Sequence, residues 1–258
     1  MSKMKPILFN TPMTQAILDD RKSCTRRDPF QIPAGYKYKG LYWVELPRGK
    51  RLCAVFHHED GTDINVPARY EPKDVLWVRE TWRVQAAHRF DADARIEFKA
   101  GGPMQTVQFA NGGSQGIDRT DYDSFITKWF HEETKWHPSI HMPKEAARIF
   151  LRITDVRVER LQEITDDGCK TEGIVGWSKD GSLYKYAPAD EEGDYPCFEW
   201  SKCPRTPQEA MRSLWDSTLT KDKLPLCGWE ANPWVWAYGF QKITREEAMR
   251  DGANSISR

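Results

Sequence analysis

One stretch gathers more reactive side chains than any other in the chain: Arg21-Lys22-Ser23-Cys24-Thr25-Arg26-Arg27 sets four cations around two hydroxyls and a thiol. Read as ordinary surface, Lys22, Arg26 and Arg27 form a solvated or phosphate-contacting patch, and Thr25 is a capping hydroxyl. Two acids are its candidate partners. Glu172 lies in Lys170-Thr171-Glu172-Gly173, and Glu80, flanked by Arg79 and Thr81, is the rival that would pair with Arg26. Of Trp77, Trp82, Trp229, Trp234 and Trp236, about two are assigned to a ligand and the rest to core. Trp82 and Trp229 are preferred because each stands beside polar residues, where a base could stack for ~1–3 kcal/mol. His57-His58 and His137/His141 have no acid or cysteine at ligand spacing. Cys197 and Cys203 could join one of the latter pair, but the spacing is irregular, so no metal is assigned. With no C-x-x-C pair, the six cysteines read as reduced thiols.

The elements that must hold these residues follow from pattern. Thr11-Pro12 opens a helix with Met13, Ala16 and Ile17 on one face, ending near Asp20, so the basic stretch leaves it as a polar loop or short strand. Residues 41–46 and 51–58 read as a hairpin, and 75–82 as a further strand. Ile149, Leu151 and Ile153 alternate before Val156 and Val158 take the opposite parity, which predicts a long strand with a bulge at Asp155. Thr165-Asp166-Asp167 starts a short helix that Gly173 stops, with Glu172 at its end. Thr206-Pro207-Gln208-Glu209 is a capping box for a helix over about 207–219, and Pro233 to Phe240 reads as a closing aromatic strand. Residues 83–138, with a hairpin and a Gly/Ser/Asp-rich stretch expected to be mobile, and 177–205 read as two insertions.

At 258 residues, 38 Lys+Arg against 38 Asp+Glu, 12% aromatic content and a mean hydropathy of −0.71, the chain has the composition of a folded protein rather than a disordered one. No apolar run reaches the roughly 20 residues of a membrane helix, and the first ten residues lack a signal-peptide pattern, so a cytoplasmic location is expected. The zero net charge hides an asymmetry. Residues 1–50 carry ten bases and four acids, residues 155–199 five bases and twelve acids, an arrangement that would confine a polyanion site to one face.

The ordered set of a helix, a K-x-x-T-R turn, hairpins, Val78-Arg79-Glu80, a long strand, Glu172-Gly173-Ile174 and a final aromatic strand resembles the ASCH domain family of the PUA-like superfamily, in particular phage and prophage proteins called morphogenetic. The resemblance covers Lys5 to Arg27, Asp74 to Trp82, Trp136 to Gly173 and Gly228 to Phe240, roughly half the chain. It implies an α+β fold: a single elaborated domain over 1–258, built on a small PUA-like β-barrel with flanking helices and the two insertions. It also implies a nucleic-acid-related role, with RNA, modified DNA or a modified nucleoside as partner, no membrane and no cofactor. One bacterial branch of the family hydrolyses N4-acetylcytidine to cytidine and acetate with a lysine, a threonine three residues later and a downstream glutamate. Lys22 and Thr25 match the first two by spacing, and Glu172 matches the third by its place after the long strand. Thr25 would be the nucleophile, Lys22 its base once burial or neighbouring cations lower its pKa, and Glu172 would orient Lys22 or pass a proton. Arg21, Arg26, Arg27, Glu80, Trp82 and Trp229 would contact substrate or nucleic acid. Two further classes stand beside this one: a binding module that reads RNA or modified DNA without turnover, and an assembly or host-interaction protein whose insertions contact a phage or host protein.

Overall fold

The computed structural model describes residues 4–88, 90–109, 119–130, 135–188 and 200–254. In chain order the elements are β1 (Lys5–Leu8), α1 (Thr11–Leu18), β2 (Cys24–Phe30), β3 (Lys37–Leu46), β4 (Gly49–His57), β5 (Asp63–Pro67), β6 (Val75–Arg79), β7 (Trp82–His88), β8 (Asp93–Phe98), β9 (Gln105–Gln108), α2 (Arg119–Trp129), β10 (Phe150–Arg160), α3 (Asp166–Thr171), β11 (Ile174–Ser178), β12 (Tyr184–Pro188), α4 (Pro207–Ser217), α5 (Leu224–Cys227), β13 (Trp234–Ile243) and α6 (Arg245–Asn254). The fold is mixed α+β, mostly strands in several sheets, with six α-helices among the described residues. None of those helices is long and apolar enough to cross a membrane.

The chain divides into two compact units. The first comprises Met1–Leu18, Val75–Leu151 and Lys242–Arg258. In it β1 pairs in parallel with β6, and β7, β8 and β9 form an antiparallel sheet. Trp82, Val84, Ile96, Phe98, Val107, Phe109 and Phe150 belong to one buried apolar cluster there. Segment 83–138 therefore contributes a three-stranded sheet and a helix where the sequence pattern showed one hairpin. Alternation in β7 and β8 is masked by Ala and charged residues, and a register shift between Val84 and Ala86 breaks it further. Most of the stretch expected to be mobile lies outside the described residues. Helix α1 is capped by Asn10, whose Oδ1 accepts from the Met13 amide at 3.0 Å, one residue earlier than the Thr11-Pro12 signature suggested.

The second unit comprises Asp19–Asp74 and Arg152–Gln241. Strand β13 lies between β10 and β2, and β3, β4 and β5 form an antiparallel meander. The expected parity change in the long strand is present: Ile153 is buried, then Val156 and Val158. Thr206 accepts from the Glu209 amide at 3.2 Å and caps α4 as expected, but the Glu209 carboxylate accepts from the Arg205 amide at 2.6 Å rather than from that of Thr206, so only half of the expected capping box forms at the start of that helix. Its Ala210, Met211, Leu214 and Trp215 face is buried. Cys24, Cys53, Cys169 and Cys227 are free thiols, whereas Cys203 is disulfide-bonded, contrary to the reduced state expected of all six. Cys197 lies outside the described residues.

Candidate active site

Residues of the second unit build the site. Thr165 caps α3 by accepting from the Gly168 amide at 3.0 Å. The helix closes at Glu172, whose amide reaches the Cys169 carbonyl at 3.1 Å. Gly173 follows at φ 97°, a left-handed conformation that a side chain would resist, and it turns the chain into β11. The residue before β2, Ser23, is tied on both sides. Its amide donates to the Thr171 carbonyl at 2.9 Å, and its carbonyl accepts from the Phe240 amide of β13 at 2.8 Å. This double tie places Lys22 opposite Glu172 as an isolated antiparallel bridge, although the two are 150 residues apart.

A line of alternating charge results. The Lys22 side chain has no exposed surface; its Nζ donates to the Glu172 carbonyl at 3.0 Å and to Glu172 Oε2. The other carboxylate oxygen, Oε1, accepts from the Arg26 amide at 2.6 Å and from Arg26 Nη1 at 3.2 Å. Arg26 Nε in turn donates to Glu159 Oε1 of β10 at 2.6 Å. Lys22, Arg26 and Glu172 are all buried, and Glu159 is 19% exposed. Burial pushes the Lys22 pKa down, and the attraction of Glu172 only partly opposes that. Desolvation acts the same way on Arg26, but Glu172 and Glu159 outweigh it and hold its pKa above the ordinary value. Burial raises the Cys24 thiol, and pushes Cys169 up to about 12, so neither is a ready thiolate.

Thr25 is also buried, and its Oγ1 accepts from Arg27 Nε at 3.3 Å. A hydroxyl that accepts from a guanidinium keeps its own proton available for donation. Thr25 and Arg27 alternate with Cys24 and Arg26, so they leave β2 on the opposite face. Across the pair they face Tyr238 and Trp236 of β13. Those rings stack at 6.2 Å, and the Tyr238 hydroxyl accepts from the Arg69 amide at 3.1 Å while its ring meets that of Tyr70 edge-on at 5.2 Å. Burial raises the Tyr238 and Tyr70 phenols, and desolvation lowers Arg27, with Tyr70, Glu172 and Asp28 opposing it.

The other predicted site residues fall elsewhere. Arg26 serves Glu159 and Glu172 and is not an open anion contact. Arg21 pairs with Asp19 at 2.8 Å at the surface. Glu80 does not pair with Arg26. Within the first unit both its oxygens accept from Arg148, each at 2.9 Å, and burial raises its pKa against that attraction. Trp82 has no exposed surface and packs among Phe125, Trp129 and His137 in the first unit's core, so it walls no open pocket. Trp229 is buried too, its amide donating to Asp216 Oδ1 at 2.8 Å and its carbonyl accepting from Gln162. His57 and His58 lie against Asp63 and Asp60, and no group of three His, Cys, Asp or Glu side chains among the described residues has the arrangement of a metal site. Glu159 and Arg148 were missed in the sequence. Glu159 had a signal, an acid one residue before the end of a strand that is otherwise alternating, but nothing in the pattern says which side it serves. No family model, curated protein or solved structure matches this chain.

Proposed function

We propose that the second unit is an amidohydrolase site that removes an acyl group from the exocyclic nitrogen of a modified nucleobase, N4-acetylcytidine being the reference substrate. The supporting observation is the fully buried Lys22–Glu172 pair, whose two charges both act on Arg27, the guanidinium that donates to the buried Thr25 hydroxyl. Burial lowers the Lys22 pKa, as a catalytic base requires. The nucleobase, and a PUA-like barrel around it, rest on the resemblance of Lys22, Thr25 and Glu172 to the ASCH deacetylases.

The chemistry balances as follows. Neutral Lys22 takes the Thr25 Oγ proton as Oγ attacks the acyl carbon. The oxyanion collapses, the C–N bond breaks, and the amine leaves with the proton carried by Lys22. Lys22 then takes a proton from water as its oxygen attacks the Thr25 ester, and returns that proton to the Thr25 oxygen as the ester C–O bond breaks, releasing the carboxylic acid and regenerating the hydroxyl and neutral Lys22. Glu172 orients Lys22, and Arg26 with Glu159 holds Glu172. Arg27, beside the hydroxyl, supplies positive charge where the oxyanion forms.

The test is incubation with N4-acetylcytidine and other N4-acylated nucleosides, following cytidine by chromatography. Release that vanishes in Lys22→Met and Thr25→Ala, both verified as folded, supports the proposal; no release from the native protein refutes it. A second reading, a binding module without turnover, draws on the same pair. Both Glu172 oxygens are already occupied by donors, as in a structural strut. Salt-dependent RNA binding without cytidine release would favour it.

A further inference from the structure

Strand β2 is irregular at one point. On β13 a single residue, Val235, separates Trp236 and Trp234, whereas on β2 two residues, Asp28 and Pro29, separate their partners Arg27 and Phe30. The extra residue is a β-bulge, and it is made by Asp28 at φ 51°. Aspartate is one of the few non-glycine residues enriched in this left-handed conformation, so the bulge is well tolerated at Asp28. Regular alternation would send Asp28 to the face of Arg26, toward Glu159 and Glu172. The bulge turns it instead toward the Thr25 face. Its charge acts there on Arg27, Tyr70 and Tyr238, and its Oδ1 lies 3.6 Å from Arg69 Nη1, too far for a hydrogen bond. No described residue donates to Oδ2, which is buried, so the acceptor that this 37% exposed side chain leaves open is Oδ1. An ionised carboxylate can accept about four hydrogen bonds, and a desolvated oxygen with none is costly.

A bulge that re-aims the side chain and an unused acceptor thus coincide at one residue three positions from Thr25. We infer that Asp28 is the specificity-determining residue of this site, accepting the N–H of a secondary amide whose carbonyl carbon is presented to Thr25. This rests on the hydrolase reading and narrows its substrates to N-acyl groups on a primary exocyclic amine, where the scissile nitrogen still carries hydrogen. N-alkylated amides, which have no N–H to give, would be rejected.

The experiment uses the whole chain with N4-acetylcytidine and N4-acetyl-N4-methylcytidine, and with Asp28→Gly and Asp28→Asn. Glycine and asparagine both accept a positive φ, so the bulge survives in each. The native protein should prefer the N–H substrate by roughly 10- to 100-fold in kcat/KM, the effect of one charge-assisted hydrogen bond. Asp28→Gly should erase most of that preference, chiefly through KM, and Asp28→Asn should keep part of it. Turnover by the native protein with the same preference in Asp28→Gly overturns the inference and leaves the hydrolase reading standing. If the native protein releases no cytidine, calorimetry with cytidine itself decides, since its N4 amine offers the same donor. Binding weakened at least tenfold in Asp28→Gly supports Asp28 as the recognition residue of a non-catalytic site; equal binding, or none by either protein, overturns it.

Discussion

Replacing Glu172 by alanine strands Lys22 in a place with no exposed side-chain surface. At neutral pH the ammonium has two options. It can stay charged without its partner, which for a buried pair costs about 3–5 kcal/mol. Or it can give up its proton, at about 1.36 kcal/mol for each unit between its ordinary 10.5 and pH 7, about 4.8 kcal/mol in total. The two routes agree, so a loss of about 3–5 kcal/mol is expected. The pH dependence has a definite sign. Burial already lowers the folded-state pKa of Lys22, and removing Glu172 removes the attraction that opposes it. The folded protein then binds fewer protons than the unfolded chain in the window between that lowered pKa and 10.5, so stability rises with pH across it. Glu172→Ala should therefore regain stability from about pH 7 toward about pH 10 more steeply than the native protein. Urea unfolding followed by tryptophan fluorescence at several pH values measures this, with the double variant Lys22→Met/Glu172→Leu as control. The double variant should lose less than Glu172→Ala alone, because no charge is left behind. A loss under about 1 kcal/mol, with pH curves parallel to the native protein, would mean the pair is solvated and the reasoning wrong.

Three other outcomes are expected. Arg26→Met deprives Glu172 and Glu159 of their shared partner; stability should fall by about 3 kcal/mol, and cytidine release should drop while Arg26→Lys restores only part of it. Gly168→Ala places a Cβ 2.9 Å from Ile164 Cγ1 and 3.1 Å from Arg26 Nη2, which should cost about 1–3 kcal/mol in urea unfolding. Arg148→Met leaves Glu80 buried and unpaired in the first unit. Burial already raises that carboxyl, so the folded form holds its proton more tightly, and the variant should recover stability as pH falls toward the ordinary 4.5, a trend acid-range melting curves would show.

The sequence carried what local chemistry decides. Caps and stop signals placed α3 and α4, alternation placed β4, β10 and β13, and the cation-rich stretch drew attention to Lys22 and Thr25. Which acid meets Lys22 was not a local matter. Glu172 and Glu80 are both acids beside an element end, and only the ties on Ser23 separate them. Arg26 looked like an anion contact because a sequence shows a charge and not its partner. Its partners come from β10 and from the end of α3, more than 130 residues away. Trp82 departs from expectation for a related reason. Polar neighbours in sequence suggested an edge, but in β7 they alternate away from a ring that packs into the core. The bulge at Asp28 had no signal beyond the following proline, since a left-handed aspartate is a property of the pairing with β13.

The central claim is that Thr25, served by the buried Lys22–Glu172 pair, attacks an acyl carbon. Rapid mixing with N4-acetylcytidine, acid quench and intact-mass analysis tests it directly. The account predicts a transient acetylated protein whose modification maps to Thr25, appears with the first turnover of cytidine and is absent from Thr25→Ala. Cytidine released by Thr25→Ala at the native rate, with no acetylated protein at any time, would contradict it.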